Sequence, residues 1–237
     1  QGFRAFKIKT GRNLEDDIRR AKMMRESIGD ECLMMMDSNQ VWDIDTAISW
    51  MKQLAFVRPY FIEEPTSPDD VLGHARIAQE LNKIGIGVAT GEMCQNKVMF
   101  KQLLQSKAIN VAQPDTARLN SVPEILSVLF MCRQFGVTVI FHAGGVALNE
   151  MVRHYIMLDY VMISGGRLED KLCEYAQHLK QHFEEECEHQ NGRYYPPQQP
   201  GFVRMKMSSI KEYQYPNGPV WKQKLSDAKK RSRVSKL

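Results

Sequence analysis

Apolar and polar positions along the chain switch between two periods. Short apolar runs recur at 3–8, 33–36, 60–62, 86–89, 108–112, 137–141 and 160–163, the length expected of buried strands. Helical spacing fills the gaps. Over 13–28, Leu14, Ile18, Ala21, Met24 and Ile28 keep a 3.6-residue period, and Gly29 is placed to end that helix. Over 45–56 the stripe is Ile48, Met51 and Ala55, with Asp45 as the candidate N-cap. The stretches 69–82, 95–105, 120–135 and 168–186 also predict helices. Strand followed by helix, repeated about seven times, predicts a parallel α/β sheet with helical crossovers. At this length either a barrel or a doubly wound sheet would serve. No dinucleotide fingerprint and no phosphate-binding P-loop is present, which weakens the nucleotide-binding version.

Composition narrows the class without choosing a function. The 237 residues are 43% hydrophobic and 25% charged, ordinary for a globular chain. No run of about 18 apolar residues occurs, so no membrane span is expected. The five cysteines are odd in number and far apart, and predict reduced intracellular thiols. Cys187-Glu188-His189 reads as a solvated helix end in preference to a metal-ligand pair. The net charge of +4 misleads, because Lys222–Leu237 alone holds seven Lys or Arg against one Asp. Basicity therefore sits in a tail, and no aromatic-interleaved basic face points to nucleic acid.

The ends of the strands carry the chemistry. The first ends in Lys7-Ile8-Lys9, where alternation sends both ammonium groups to one face. The following ones end in Asp37, Glu63, Glu92, Asp115 and His142, and Glu169 follows the seventh. The intervals are 23 to 30 residues, one strand–helix unit each. Any one of these residues alone reads as a turn or helix cap. Recurring in phase, they mark the C-terminal mouth of a barrel, where active sites are built. Three carboxylates on successive strands suit a hard divalent cation such as Mg²⁺, since without one they would repel each other.

These features, with FIEEPTSPDDVLGHA at 61–75, TGE at 90–92 and FKQLLQ at 100–105, and HAGGVALNE at 142–150, resemble the enolase superfamily in its mandelate racemase subgroup. Within it the chain is most similar to the fuconate dehydratases, the mitochondrial enolase superfamily members among them. The resemblance runs from about residue 3 to about residue 222 and implies a modified (β/α)₇β barrel. That barrel is expected to be incomplete here, since the family's capping domain and first barrel strand have no counterpart in the chain. The implied organisation is a catalytic barrel over 1–187, a segment returning toward the capping domain over 188–221, and a basic, disordered tail over 222–237.

The resemblance also implies roles. Lys9 matches the base that removes the proton α to a carboxylate. Lys7 matches its partner, whose charge keeps Lys9 neutral. Asp37, Glu63 and Glu92 match the Mg²⁺ ligands. His142 matches the general acid and Asp115 the carboxylate that orients it. Glu169 matches a residue beside the substrate carboxylate, and Asn39 is expected to line the site. The implied reaction is dehydration of L-fuconate to 2-keto-3-deoxy-L-fuconate. The alternative is a non-catalytic remnant that binds a metal or a partner. The implied partners are a small acid sugar and a second copy of the chain. The family suggests mitochondria, whereas the final Ser-Lys-Leu has the form of a peroxisomal address.

Overall fold

The computed structural model of the chain describes residues 1–165, 171–176, 178–184, 189–198, 200–201 and 204–234. Glu169, Cys187 and the final Ser-Lys-Leu lie outside the described residues.

Six parallel strands form one sheet in chain order: β1 Ala5–Lys9, β2 Leu33–Asp37, β3 Phe61–Glu63, β4 Gly87–Thr90, β5 Val111–Ala112 and β6 Thr138–Val139. Five helices make the crossovers: α1 Leu14–Ile28, α2 Ile44–Leu54, α3 Val71–Leu81, α4 Lys97–Gln105 and α5 Val122–Phe135. Local chemistry sets their ends. Asn13, Asp43, Asp70, Asn96 and Ser121 each cap a helix with a side-chain oxygen. Gly29 ends α1 at φ +72°, as predicted. Asp43, not Asp45, is the N-cap of α2, because its carboxylate reaches the Thr46 amide at 2.7 Å.

Burial follows from the two periods. One apolar cluster packs α1–α3 on the outer face of β1–β4, through Ala21, Met34, Met36, Met51, Leu54 and Ile77. A second lies under α4, α5 and the helix after β6, through Phe100, Leu103, Val128 and Phe141. The inner face has its own layer. Phe61, Ala89, Val111 and Ile140 meet there with Met35 and Leu172, one residue from each successive strand position, as in a filled barrel.

After β6 the structure departs from the pattern. The apolar run 160–163, predicted as a seventh strand, is the π-helical turn Asp159–Ser164. It continues a helix the pattern missed, α6 Leu148–Leu158. No breaker separates them, and Val161 and Met162 stay 75% exposed. A short apolar run does not by itself tell strand from helix. The helix predicted over 168–186 is also corrected. Among its described residues, Cys173 pairs with Phe141 in a parallel bridge and 180–182 is one 3-10 turn. Cys173 thus occupies the next strand position. The chain beyond it returns to β1, where Tyr175 packs on Phe3 with ring centroids 4.9 Å apart. The segment 172–175 therefore lies between β6 and β1.

A small antiparallel pair follows, β7 His189–Gln190 with β8 Arg193–Tyr194, then helices α7 Met207–Tyr213 and α8 Pro219–Val234. The basic tail expected to be disordered is helical as far as Val234. It contains no glycine or proline after Pro219, and Lys, Arg, Gln, Leu and Ala are good helix formers. Gln223 bonds Asp227 one turn on at 3.1 Å. Among the described residues no helix is long and apolar enough to cross a membrane.

Candidate active site

Register builds the site. Lys9 pairs with Asp37, and Asp37 with Glu63, so the three lie in one lateral row across β1, β2 and β3. Below that row on the same face come Lys7, Met35 and Phe61, because side chains repeat every second residue. The row thus caps the apolar layer of the barrel. Asp37 and Glu63 are fully buried.

Two lysines neutralise the buried carboxylates. Lys9 Nζ donates to Asp37 Oδ2. Lys7 Nζ donates to Glu63 Oε2 at 2.7 Å and to Glu174, and lies 3.6 Å from Asp37. Burial disfavours the Lys7 ammonium, but Glu63 and Glu174 outweigh it and hold the group above the ordinary lysine value. Lys7 is therefore a fixed positive charge. Gln113 Nε2 donates a further bond to Glu63 Oε2 at 2.8 Å. Even so, burial, with the charges of Asp37 and Glu174 beside it, pushes the Glu63 carboxyl up to about 7 against the pull of Lys7.

A second group lies past β5 and β6. Asp115 Oδ1 accepts the amides of Ala117 and Arg118, at 2.6 and 3.1 Å, while its Oδ2 lies 2.6 Å from His142 Nδ1. Burial opposes the imidazolium of His142, but the Asp115 bond and the charges of Glu174 and Glu92 outweigh it and raise its pKa. Its Nε2 lies 3.4 Å from Glu92 and 3.9 Å from Glu174. Gly144 stands against that nitrogen, where a Cβ would approach to 2.7 Å.

Glu174 joins the two groups. It holds Lys7, accepts the Ala143 amide at 2.7 Å, and faces His142. Burial would raise its pKa, but Lys7 and the Ala143 amide lower it below the ordinary value. Sequence reasoning missed both Glu174 and Gln113. A signal existed for each: Gln113 lies two residues after inward-facing Val111, and Glu174 two after Leu172. Glu169, predicted for this place, lies outside the described residues. Asn39 sits at the rim, exposed at φ +45°, with its amide bonded to Asp37 Oδ1 at 2.9 Å. Glu64, adjoining the row at φ +41°, is pushed up to about 7 by burial, with Gln40 opposing. Left-handed backbone at three such residues, Asn39, Gln40 and Glu64, concentrates strain at the strand ends.

Two of the three residues expected to hold a metal stand together. Asp37 and Glu63 adjoin, whereas Glu92 faces His142. Among the described residues no group of three His, Cys, Asp or Glu side chains is disposed around one point. Lys7, Lys9 and Gln113 occupy Glu63 Oε2 and Asp37 Oδ2, while Glu92 turns to His142. The donor chemistry nevertheless fits a hard cation. Glu63 Oε1 is buried without a hydrogen-bond partner, and two fully buried carboxylates stand side by side in register.

Comparison with known proteins identifies the family of the fold. The model of the enolase C-terminal domain-like family matches residues 1–203. Mitochondrial enolase superfamily member 1 of Homo sapiens is 51% identical over 225 residues, 94% of this chain and 51% of that protein. Its crystal structure superposes with a TM-score of 0.90 over the same shares. The L-galactonate dehydratase of Hypocrea jecorina is 46% identical over 93% of this chain and 49% of its own. L-Talarate dehydratase from Polaromonas sp. JS666, crystallised with Mg and L-glucarate, is 25% identical with a TM-score of 0.74, over 87% of this chain and 54% of that one. The chain spans about half the length of the curated relatives it matches. It belongs to the enolase superfamily, as a member of the enolase C-terminal domain-like family.

Proposed function

We propose that this chain carries the active-site barrel of a Mg²⁺-dependent acid-sugar dehydratase that converts L-fuconate to 2-keto-3-deoxy-L-fuconate. The observation that carries the reading is the convergence of two proton-transfer groups, Lys9 and the His142–Asp115 pair, on one buried carboxylate cluster. The relative named for L-galactonate supports the substrate class, because L-fuconate is the same sugar acid without its 6-hydroxyl.

The residues take the following roles. Lys9 accepts the C2 proton, and the electron pair left behind delocalises into the substrate carboxylate. His142 donates from Nε2 to the 3-hydroxyl, the C3–O bond breaks, and water leaves. The resulting enol tautomerises to the 2-keto acid. Asp115 holds the imidazole by Nδ1, so that Nε2 is the end presented. Lys7 supplies fixed positive charge beside the developing negative charge. Glu174 stands between Lys7 and His142, placed to hold the substrate carboxylate. Mg²⁺, held by Asp37, Glu63 and Glu92, would supply a Lewis acid toward that carboxylate.

A second reading, a metal- or partner-binding protein without turnover, draws on one observation: Lys7 and Lys9 cap the very carboxylates that would take the ion. The test is dehydration of L-fuconate and L-galactonate with Mg²⁺, by the chain alone and by the chain joined to the N-terminal half of the human relative. Formation of 2-keto acid, abolished by Lys9→Ala and by His142→Ala, is expected. Mg²⁺ binding with no turnover in either form favours the second reading. The name of the human relative makes the mitochondrion the compartment to examine first.

A further inference from the structure

Asp17 stands on the buried face of α1, one turn before Ala21, and is only 2% exposed. A carboxylate on the apolar face of an amphipathic helix is costly unless fully bonded. Here it is. Its Oδ2 accepts the Thr10 hydroxyl and the Gly11 amide, each at 2.6 Å. Its Oδ1 accepts a guanidinium N–H of Arg20.

The same guanidinium reaches the end of β1. Arg20 Nε donates to Asp16 at 2.9 Å, and its Nη1 donates to the carbonyl of Lys9 at 2.8 Å. Lys9 is the last residue of the strand, and its side chain is 65% exposed. Apart from its bond to Asp37, the backbone then sets where its Nζ lies. On the far side, the Thr10 amide bonds the Asp37 carbonyl at 2.9 Å, which ties the same turn to β2. Gly11 completes the turn at φ +113°, where a Cβ would meet Val41 at 2.5 Å. Three consecutive residues, Lys9, Thr10 and Gly11, are thus gripped from one helix by one carboxylate and one guanidinium.

We propose that Asp17 and Arg20 are positioning residues for Lys9, holding the Lys9–Gly11 turn so that Nζ lies beside Asp37. Its catalytic consequence rests on the dehydratase reading; the placement of Lys9 does not. A misplaced proton acceptor costs rate far more than binding, so the loss falls on kcat. A purely structural role for the pair would lower stability and leave Lys9 in place.

The test reads Lys9 directly. The full chain is reductively methylated with ¹³C-formaldehyde, and the dimethyl signal of Lys9 is assigned by its loss in Lys9→Arg. In Arg20→Met and in Asp17→Asn the signal is expected to move to the position of the exposed lysines. It should stay in Ala21→Gly, a buried change on the same helix with no polar contact. In the dehydration assay both variants should lose about tenfold or more in kcat with KM nearly unchanged, and Arg20→Lys should regain part of it. Arg20 is one-third exposed, so Arg20→Met decides alone if Asp17→Asn does not fold. A Lys9 signal unmoved in folded Arg20→Met overturns the proposal, as does an equal movement in Ala21→Gly. Absence of 2-keto acid from the unsubstituted chain would overturn the functional reading, and the Lys9 signal would still decide the positioning claim.

Discussion

Nδ1 of His142 lies 2.6 Å from Oδ2 of Asp115, and the other two bonds of that carboxylate run to the backbone amides of Ala117 and Arg118. The aspartate is thus anchored to its own loop before it grips the histidine. That leaves Nε2 as the ring atom facing Glu92 and Glu174.

Asp115→Asn keeps the shape and removes the charge that favours imidazolium. Its kcat for acid-sugar dehydration is expected to fall at least about tenfold, with little change in KM. Steady-state kinetics on L-fuconate check it. An unchanged kcat would remove His142 from the role of acid.

Glu174 is the second point of leverage. It offsets Lys7, accepts the Ala143 amide and faces His142, so Glu174→Gln alters both halves of the site. A drop in kcat of about tenfold or more is expected, together with weaker binding of a carboxylate-bearing inhibitor, measured by titration calorimetry. Unaltered inhibitor binding would separate Glu174 from the substrate carboxylate.

What the sequence made legible, and what it hid, has a common cause. Lys7, Lys9, Asp37, Glu63, Asp115 and His142 were readable because six strand–helix units repeat with nearly constant length. The repeat breaks after His142. There α6 runs into the π-helical turn, and an apolar run that reads as strand stays helical. Glu169, expected one further unit on, lies outside the described residues, and the parallel bridge at Cys173 brings Glu174 beside Lys7 and His142. Gln113 was hidden differently: it carries no charge and stood beside the more conspicuous Asp115. Asp37, Glu63 and Glu92, expected as ligands, were legible as residue types on successive strand ends. That Lys7 and Lys9 would fold onto Asp37 and Glu63 depends on side-chain geometry, which spacing does not encode.

His74 gives a pH dependence independent of the site. It is fully buried on α3, with Nδ1 2.9 Å from the Asp70 carbonyl and Nε2 without a partner. Burial lowers its pKa, against the smaller pull of Asp70. A base with a depressed folded value takes up its proton preferentially when unfolded. Its contribution to stability is whole above the unfolded value of about 6.5 and is lost as pH falls below it. Glu63, Glu64 and His142, whose folded values are raised, pull the other way, so the assignment is read against a variant: from about pH 7.5 to about pH 5.5 the urea midpoint of the unsubstituted chain should drop relative to that of His74→Gln. An equal change in both would contradict the assignment.

The thiols should divide by burial. The Cys94 thiol is pushed up to about 12 by burial, with Glu64 and Asp69 adding to it. Cys132 is likewise pushed up to about 12, by burial and Asp159. Cys32 and Cys173 are only partly buried. Thiolate is the reactive form, so iodoacetamide followed by peptide mass mapping should label Cys32 and Cys173 before Cys94 and Cys132. Early labelling of Cys94 in the folded chain would contradict the packing around it.

The most direct measurement of the central claim is Mg²⁺-dependent appearance of 2-keto acid from L-fuconate, in the chain alone and joined to the N-terminal half of the human relative. The account predicts keto acid in at least the joined form, lost on removal of Mg²⁺ and in Lys9→Ala and His142→Ala. No keto acid from either form with Mg²⁺ bound, or turnover that survives Lys9→Ala, would contradict it.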